Sequence, residues 1–222
     1  MHKQNIEKSV TQIVNSLPPK VSLVAAVKQK TAEEVQAAIR AGVKIIGHNY
    51  VQQAEDMRQV LDDPVEWHMI GHLQKNKVRR AVKIFDMIET IDSLELAKLV
   101  NERCQTEGKN MRVLIEINSG REENKTGVLP EKVDALILHI SELPNLAIQG
   151  LMTMGPRFGN PEDARPYFKA TKTVFDRLDQ AGLANVQMLY LSMGMSNSYK
   201  IAIEEGANMV RIGTKLFGER TN

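Results

Sequence analysis

Short apolar runs rich in β-branched residues and methionine alternate with longer helical patterns from end to end, and no low-complexity linker divides the chain. The runs predict strands near residues 21–28, 44–50, 66–72, 87–92, 112–118, 146–154, 187–193 and 209–214. Between them, apolar positions at helical spacing predict helices over 32–41, 51–61, 76–85, 93–107, 131–139, 161–181 and 198–205. An amphipathic helix over about 5–17 comes first and is stopped by Pro18 and Pro19. Eight strand-then-helix units close a parallel barrel, so the predicted fold class is α/β, a single (β/α)8 TIM-type barrel with an extra N-terminal helix, spanning 1–222 as one domain. The rival, an open doubly wound sheet, usually carries a glycine-rich turn after its first strand; here that strand ends in Lys28-Gln29-Lys30-Thr31.

Composition narrows the function classes. A chain of 222 residues buries a core without disulfides or metals. Lys plus Arg number 29 against 27 Asp plus Glu, a net charge of +2, which does not point to a nucleic-acid surface. No apolar run reaches the roughly 20 residues a membrane-spanning helix needs. The single cysteine, Cys104, cannot form an internal disulfide, and no apolar signal-peptide core follows Met1, so a cytoplasmic location is expected. Cys104 lies in a polar helical stretch with no motif around it and is read as a plain side chain.

In such a barrel the active site lies at the carboxyl ends of the strands, so the residues where each apolar run stops carry the chemistry. They are polar: Lys28 after the first run, His48-Asn49-Tyr50 after the second, His68 and His72 after the third, Asn118 after the fifth, Ser192 after the seventh and Arg211 in the eighth. Lys28 follows five apolar residues and enters a partly desolvated mouth, the setting in which a lysine serves as an amine nucleophile toward an aldehyde. A snorkelling lysine at a strand end is the alternative. Ser192-Met193-Gly194-Met195-Ser196 and Arg211-Ile212-Gly213-Thr214 place hydroxyls and glycines after the last two strands, where barrels commonly build a phosphate site. Together these suggest an aldehyde-bearing phosphate ester, a description that pyridoxal 5′-phosphate fits. Arg211, always protonated, could donate a hydrogen bond to a pyridine nitrogen without protonating it; otherwise it is half of an ion pair inside the barrel, with Glu116 or Asp92.

Three early segments, residues 23–30, 47–53 and 67–77, resemble in order those of the YggS/PROSC family of pyridoxal phosphate homeostasis proteins. The resemblance runs on through 113–118, 150–154, 192–196 and 209–220, nearly the whole chain after the first helix. It implies a single barrel related to the amino-terminal domain of alanine racemase, holding pyridoxal phosphate covalently and reversibly as an aldimine. Carried over by position, Lys28 is the imine lysine and Arg211 the partner of the pyridine nitrogen. Ser192, Ser196, Gly213 and Thr214 are phosphate contacts, and Asn49 lines the mouth. The implied function is cofactor buffering or delivery, with apo forms of pyridoxal-phosphate enzymes as recipients and a monomer or weak dimer as the working state. No catalytic residue is assigned. The sequence departs from the family at Val27, where Ser or Thr is usual, at Thr31, where Pro is usual, and at His48, where Glu is usual; the last removes a negative charge expected near the ring or its lid.

The alternative is a pyridoxal-phosphate-dependent amino-acid racemase of low activity. Racemisation needs an acid or base on each face of the α-carbon, which alanine racemases complete with a second domain for which the sequence leaves no room after its eighth unit. Tyr50 is the one tyrosine expected at the mouth. His68 and His72, four apart, would suit a metal on a helix, but on a strand they share a face and are expected to pack, with His72 toward the mouth. No Gly-x-Ser-x-Gly elbow surrounds Ser192, which argues against a serine hydrolase. The basic run Lys75, Lys77, Arg79, Arg80 and Lys83 reads as a solvated helix face.

Overall fold

The computed structural model describes residues 2–156 and 159–219; Arg220, the last residue of the resembling segment, lies outside them. Helix α1 (His2–Ser16) is followed by eight strands that alternate with helices: β1 (Ser22–Ala26), α2 (Ala32–Arg40), β2 (Ile45–His48), α3 (Val51–Arg58), β3 (Glu66–Met69), α4 (Val78–Ile84), β4 (Met87–Ile91) and α5 (Leu94–Glu107). Then come β5 (Met111–Ile117), α6 (Val133–Ser141), β6 (Leu146–Thr153), α7 (Arg165–Ala181), β7 (Val186–Ser192), α8 (Tyr199–Glu204), β8 (Met209–Ile212) and α9 (Thr214–Phe217). The strands form one closed parallel barrel in sequence order, sealed by β1 against β8. The expected architecture is therefore present, N-terminal helix included. Only α9 was absent from the sequence prediction, because its four residues are too few for a periodic pattern.

Side chains alternate across the barrel wall with the strand period of two. On β3, Trp67 and Met69 join the large core between barrel and helices, while Ile70 just beyond joins the inner cluster of Val24, Met87, Leu114, Met152 and Met209. Local chemistry sets the helix ends. Thr31 and Glu34 form a capping box at the start of α2, Ser93 caps α5, and left-handed Gly108 and Gly182 end α5 and α7.

The early strands stop sooner than their apolar runs. β1 ends at Ala26, two residues before Lys28, and β2 ends before Asn49 and Tyr50. β3 ends at Met69, so the expected strand over 66–72 is too long. His68 is buried inside the barrel while His72 is exposed beyond the strand end, so the two do not lie on one strand as expected. Among the described residues, no helix is long and apolar enough to cross a membrane, and no group of three or more His, Cys, Asp or Glu could hold a metal.

Candidate cofactor site

Lys28 sits in a tight turn closed by the Lys30 N–H donating to the Val27 carbonyl at 3.1 Å, with Gln29 in the left-handed region at φ 61°. A non-glycine residue there is uncommon, and directly after the lysine it marks a turn that other contacts impose. Lys28 is half-buried, with its ammonium 4.9 Å from the centroid of the Tyr50 ring. Lys30 is committed elsewhere, to Glu34 at 3.4 Å and over the Phe217 ring.

Next to Lys28 in the barrel, β8 pairs with β1 in the register Val24 with Arg211 and Ala25 with Ile212. Gly213 follows immediately, and a Cβ there would come within 3.3 Å of the Ala26 carbonyl oxygen, so glycine lets β8 leave the barrel close against β1. The backbone N–H groups of Gly213 and Lys215 converge on Ser196 Oγ, at 3.2 and 3.4 Å. Ser196 reaches this place because Gly194, at φ 91°, turns the chain after β7 where any Cβ would strike Ala202, and its carbonyl accepts from the Arg211 N–H. Thr214 is exposed beside the cradle, and Asn49 is half-buried after β2.

Ser192 does not join the other phosphate candidates. It is fully buried inside the barrel, donating to Glu89 Oε2 at 2.6 Å and accepting from Arg211 Nη1 at 2.6 Å. Arg211 Nη2 donates to the Thr153 carbonyl at 2.8 Å. The carboxylate paired with Arg211 is Glu89, 3.9 Å away, rather than Glu116 or Asp92. Burial disfavours the Arg211 charge and lowers its pKa, against the pull of Glu89 and Glu116.

The interior polar set continues downward. Glu89 Oε1 lies 2.7 Å from His68 Nδ1, and His68 Nε2 lies 3.4 Å from Glu66 Oε2, which also accepts from Arg112 at 2.8 Å. Burial opposes charge on His68 and Glu89, but their mutual bond and their other partners outweigh it: the His68 pKa is raised and that of Glu89 lowered. Glu66 and Glu89 are thus the two carboxylates that meet His68. Glu116 faces the interior between outward-facing Ile115 and Ile117. Burial pushes its carboxyl up to about 7; Oε1 accepts from Thr126, while buried Oε2 has no partner among the described residues.

The family model for the alanine racemase N-terminal domain matches residues 1–221. The chain is 42% identical over 199 residues to the pyridoxal phosphate homeostasis protein of Aquifex aeolicus, covering 89% of this chain and 86% of that protein. It is 37% identical over 230 residues to the mouse protein of the same name, with 98% and 84% covered. The chain belongs to the pyridoxal phosphate homeostasis family. PipY of Synechococcus elongatus, solved with pyridoxal phosphate bound, superposes with a TM-score of 0.88 at 31% identity, covering 96% of this chain and 100% of that one. An alanine racemase from Clostridium difficile shares the fold, with a TM-score of 0.84 at 20% identity over 58% of its length.

Within this family framework the residue at 48 needs a different account from the expected one. Gly47 lies against inward-facing Val24 and Ile70, so His48 turns outward, stacked on Trp67 with centroids 5.1 Å apart and planes 1° apart. It is outside the mouth, and its identity does not set the charge there. It is 1% exposed, neither ring nitrogen has a partner among the described residues, and burial lowers its pKa from 6.5 to about 4. Between those values the unfolded chain holds a proton that the folded one lacks, so stability is full above pH 6.5 and falls as the pH drops toward 4. The expected loss between pH 7 and pH 5 from this residue is about 2 kcal/mol. Urea denaturation at the two pH values should show a clearly smaller loss in His48→Leu, and an unchanged loss would contradict the assignment.

Glu89 is the member of this interior set that strand-end reading missed. A charged residue at an inward position of an apolar run is the signal that could have found it.

Proposed function

We propose that this protein binds pyridoxal 5′-phosphate reversibly, through a covalent link between Lys28 and the aldehyde carbon, and serves intracellular homeostasis of the cofactor by buffering or delivering it. The reading is carried by the adjacency of β1 and β8, which sets a half-buried amine beside a turn whose N–H groups converge on one point. That point is a neutral hydroxyl oxygen, Ser196 Oγ; an anionic oxygen is a stronger acceptor for the same donors. Ser196, Gly213 and Thr214 accordingly hold the phosphate, Asn49 lines the mouth, and Arg211 faces the pyridine nitrogen. Ser192 is reassigned from the phosphate to holding Arg211. The relatives' name and the pyridoxal phosphate bound in PipY support the ligand.

When bound, the cofactor supplies an aldehyde that passes between amines. Arg211 can donate to the ring nitrogen but cannot give up a proton to it, which leaves the ring a poor electron sink. Racemisation would also require an acid–base group across from Lys28, and Tyr50 lies against Lys28 itself. These features favour exchange of the cofactor over amino-acid turnover.

The test is transfer. Loaded protein should reactivate an apo-enzyme that depends on pyridoxal phosphate, while exchanging the α-proton of alanine or serine in heavy water at close to the background rate. Pyridoxal lacking the phosphate should bind at least about tenfold more weakly, the equivalent of losing one charge-assisted hydrogen bond. Racemisation near the ~10 s⁻¹ typical of enzymes would overturn the carrier reading, and equal affinity for the two compounds would remove the phosphate cradle.

A further inference from the structure

The column of polar side chains that enters the barrel from its amino end does more than neutralise itself. From the amino end upward it runs Arg112, Glu66, His68, Glu89, Ser192, Arg211, with successive contacts of 2.8, 3.4, 2.7, 2.6 and 2.6 Å. With His68 protonated, charge alternates along it and ends on Arg211. We propose that Glu89 is a positioning residue for Arg211: by holding the one proton of the Ser192 hydroxyl, it turns a lone pair toward the guanidinium and fixes the plane in which Arg211 meets its ligand.

A hydroxyl has a single proton and two lone pairs. With that proton given to Glu89 Oε2, Ser192 can only accept from Arg211; without Glu89 the proton is free to swing toward the guanidinium and oppose it. A carboxylate 3.9 Å away attracts Arg211 as a charge but does not orient it. Orientation needs two directed acceptors, and the Ser192 hydroxyl on Nη1 with the Thr153 carbonyl on Nη2 provide them. Glu89 cannot rotate away, because His68 holds its other oxygen. Both are completely buried, so these bonds face no competition from water.

The consequence for the cofactor rests on the reading of Arg211 as the partner of the ring nitrogen, and the experiment separates the two. In the cofactor-free protein, the guanidinium N–H resonances of Arg211, identified by their absence in Arg211→Lys, should be individually resolved. They should collapse or vanish in Glu89→Gln and in Ser192→Ala. Pyridoxal phosphate labelled with ¹⁵N in the ring should then show a displaced nitrogen resonance in both variants, with affinity reduced about tenfold. A general loss of stability would lower the melting temperature without singling out this arginine and this nitrogen. Arg211 resonances that stay resolved in both variants overturn the proposal, and Ser192→Ala alone decides if Glu89→Gln fails to fold. Collapse of the Arg211 signals with an unmoved ring nitrogen upholds the positioning by Glu89 and overturns the placement of Arg211 at the ring.

Discussion

Borohydride reduction of the loaded protein should fix the mass of pyridoxal phosphate to the peptide containing Lys28, and Lys28→Ala should lose both that adduct and the visible absorption band. Two other lysines are near enough to compete. Lys30 is paired with Glu34 and lies over Phe217, and Lys215 lies over the Tyr199 ring. Lys28 lies half-buried just beyond β1, with the Tyr50 ring beside it and the turn after β8 next to it. The variant should still bind the phosphate through the turn after β8, so equilibrium dialysis should detect residual, non-covalent binding without colour. Peptide mass mapping that places the adduct on Lys30 or Lys215 would refute the assignment.

The barrel was legible because its evidence is repeated: eight apolar runs, each followed by a helical pattern, leave little choice of architecture. Lys28, Arg211, Ser196, Gly213 and Thr214 stand out as candidates for a related reason, since the fold itself says where on each strand chemistry belongs. The faces of individual side chains were harder to read. On β2, Gly47 has no side chain to mark the inner face, and a shift of one residue reverses every orientation, so nothing local revealed that His48 points away from the mouth. Ser192 misled in the opposite way. Its place at the end of a strand resembles that of Ser196, but its role depends on Glu89, 103 positions earlier, which only the closed barrel brings to it.

Its bonds to Ser192 and Thr153 make Arg211 a structural element of the barrel interior, and its removal should carry a large cost. Arg211→Met takes one counter-charge from the wholly buried Glu89 and an opposing charge from Glu116. Removing one partner of a buried pair typically costs about 3–5 kcal/mol, because the remaining charge has neither water nor its former partner. For a domain of this size that corresponds to a fall in melting temperature of roughly 6–20 °C. Arg211→Glu should be worse, since it sets a third carboxylate beside Glu89 and Glu116, and any effect on amino-acid chemistry would be masked by unfolding. Replacing both partners, as in Arg211→Met with Glu89→Leu, leaves His68 with only Glu66 but restores an apolar interior. The double variant should therefore lose less stability than the sum of the two single changes, with a coupling of about 1–3 kcal/mol in urea denaturation. Strict additivity would mean that Arg211 and Glu89 do not stabilise one another, and the column would then be a set of neighbours rather than a connected network.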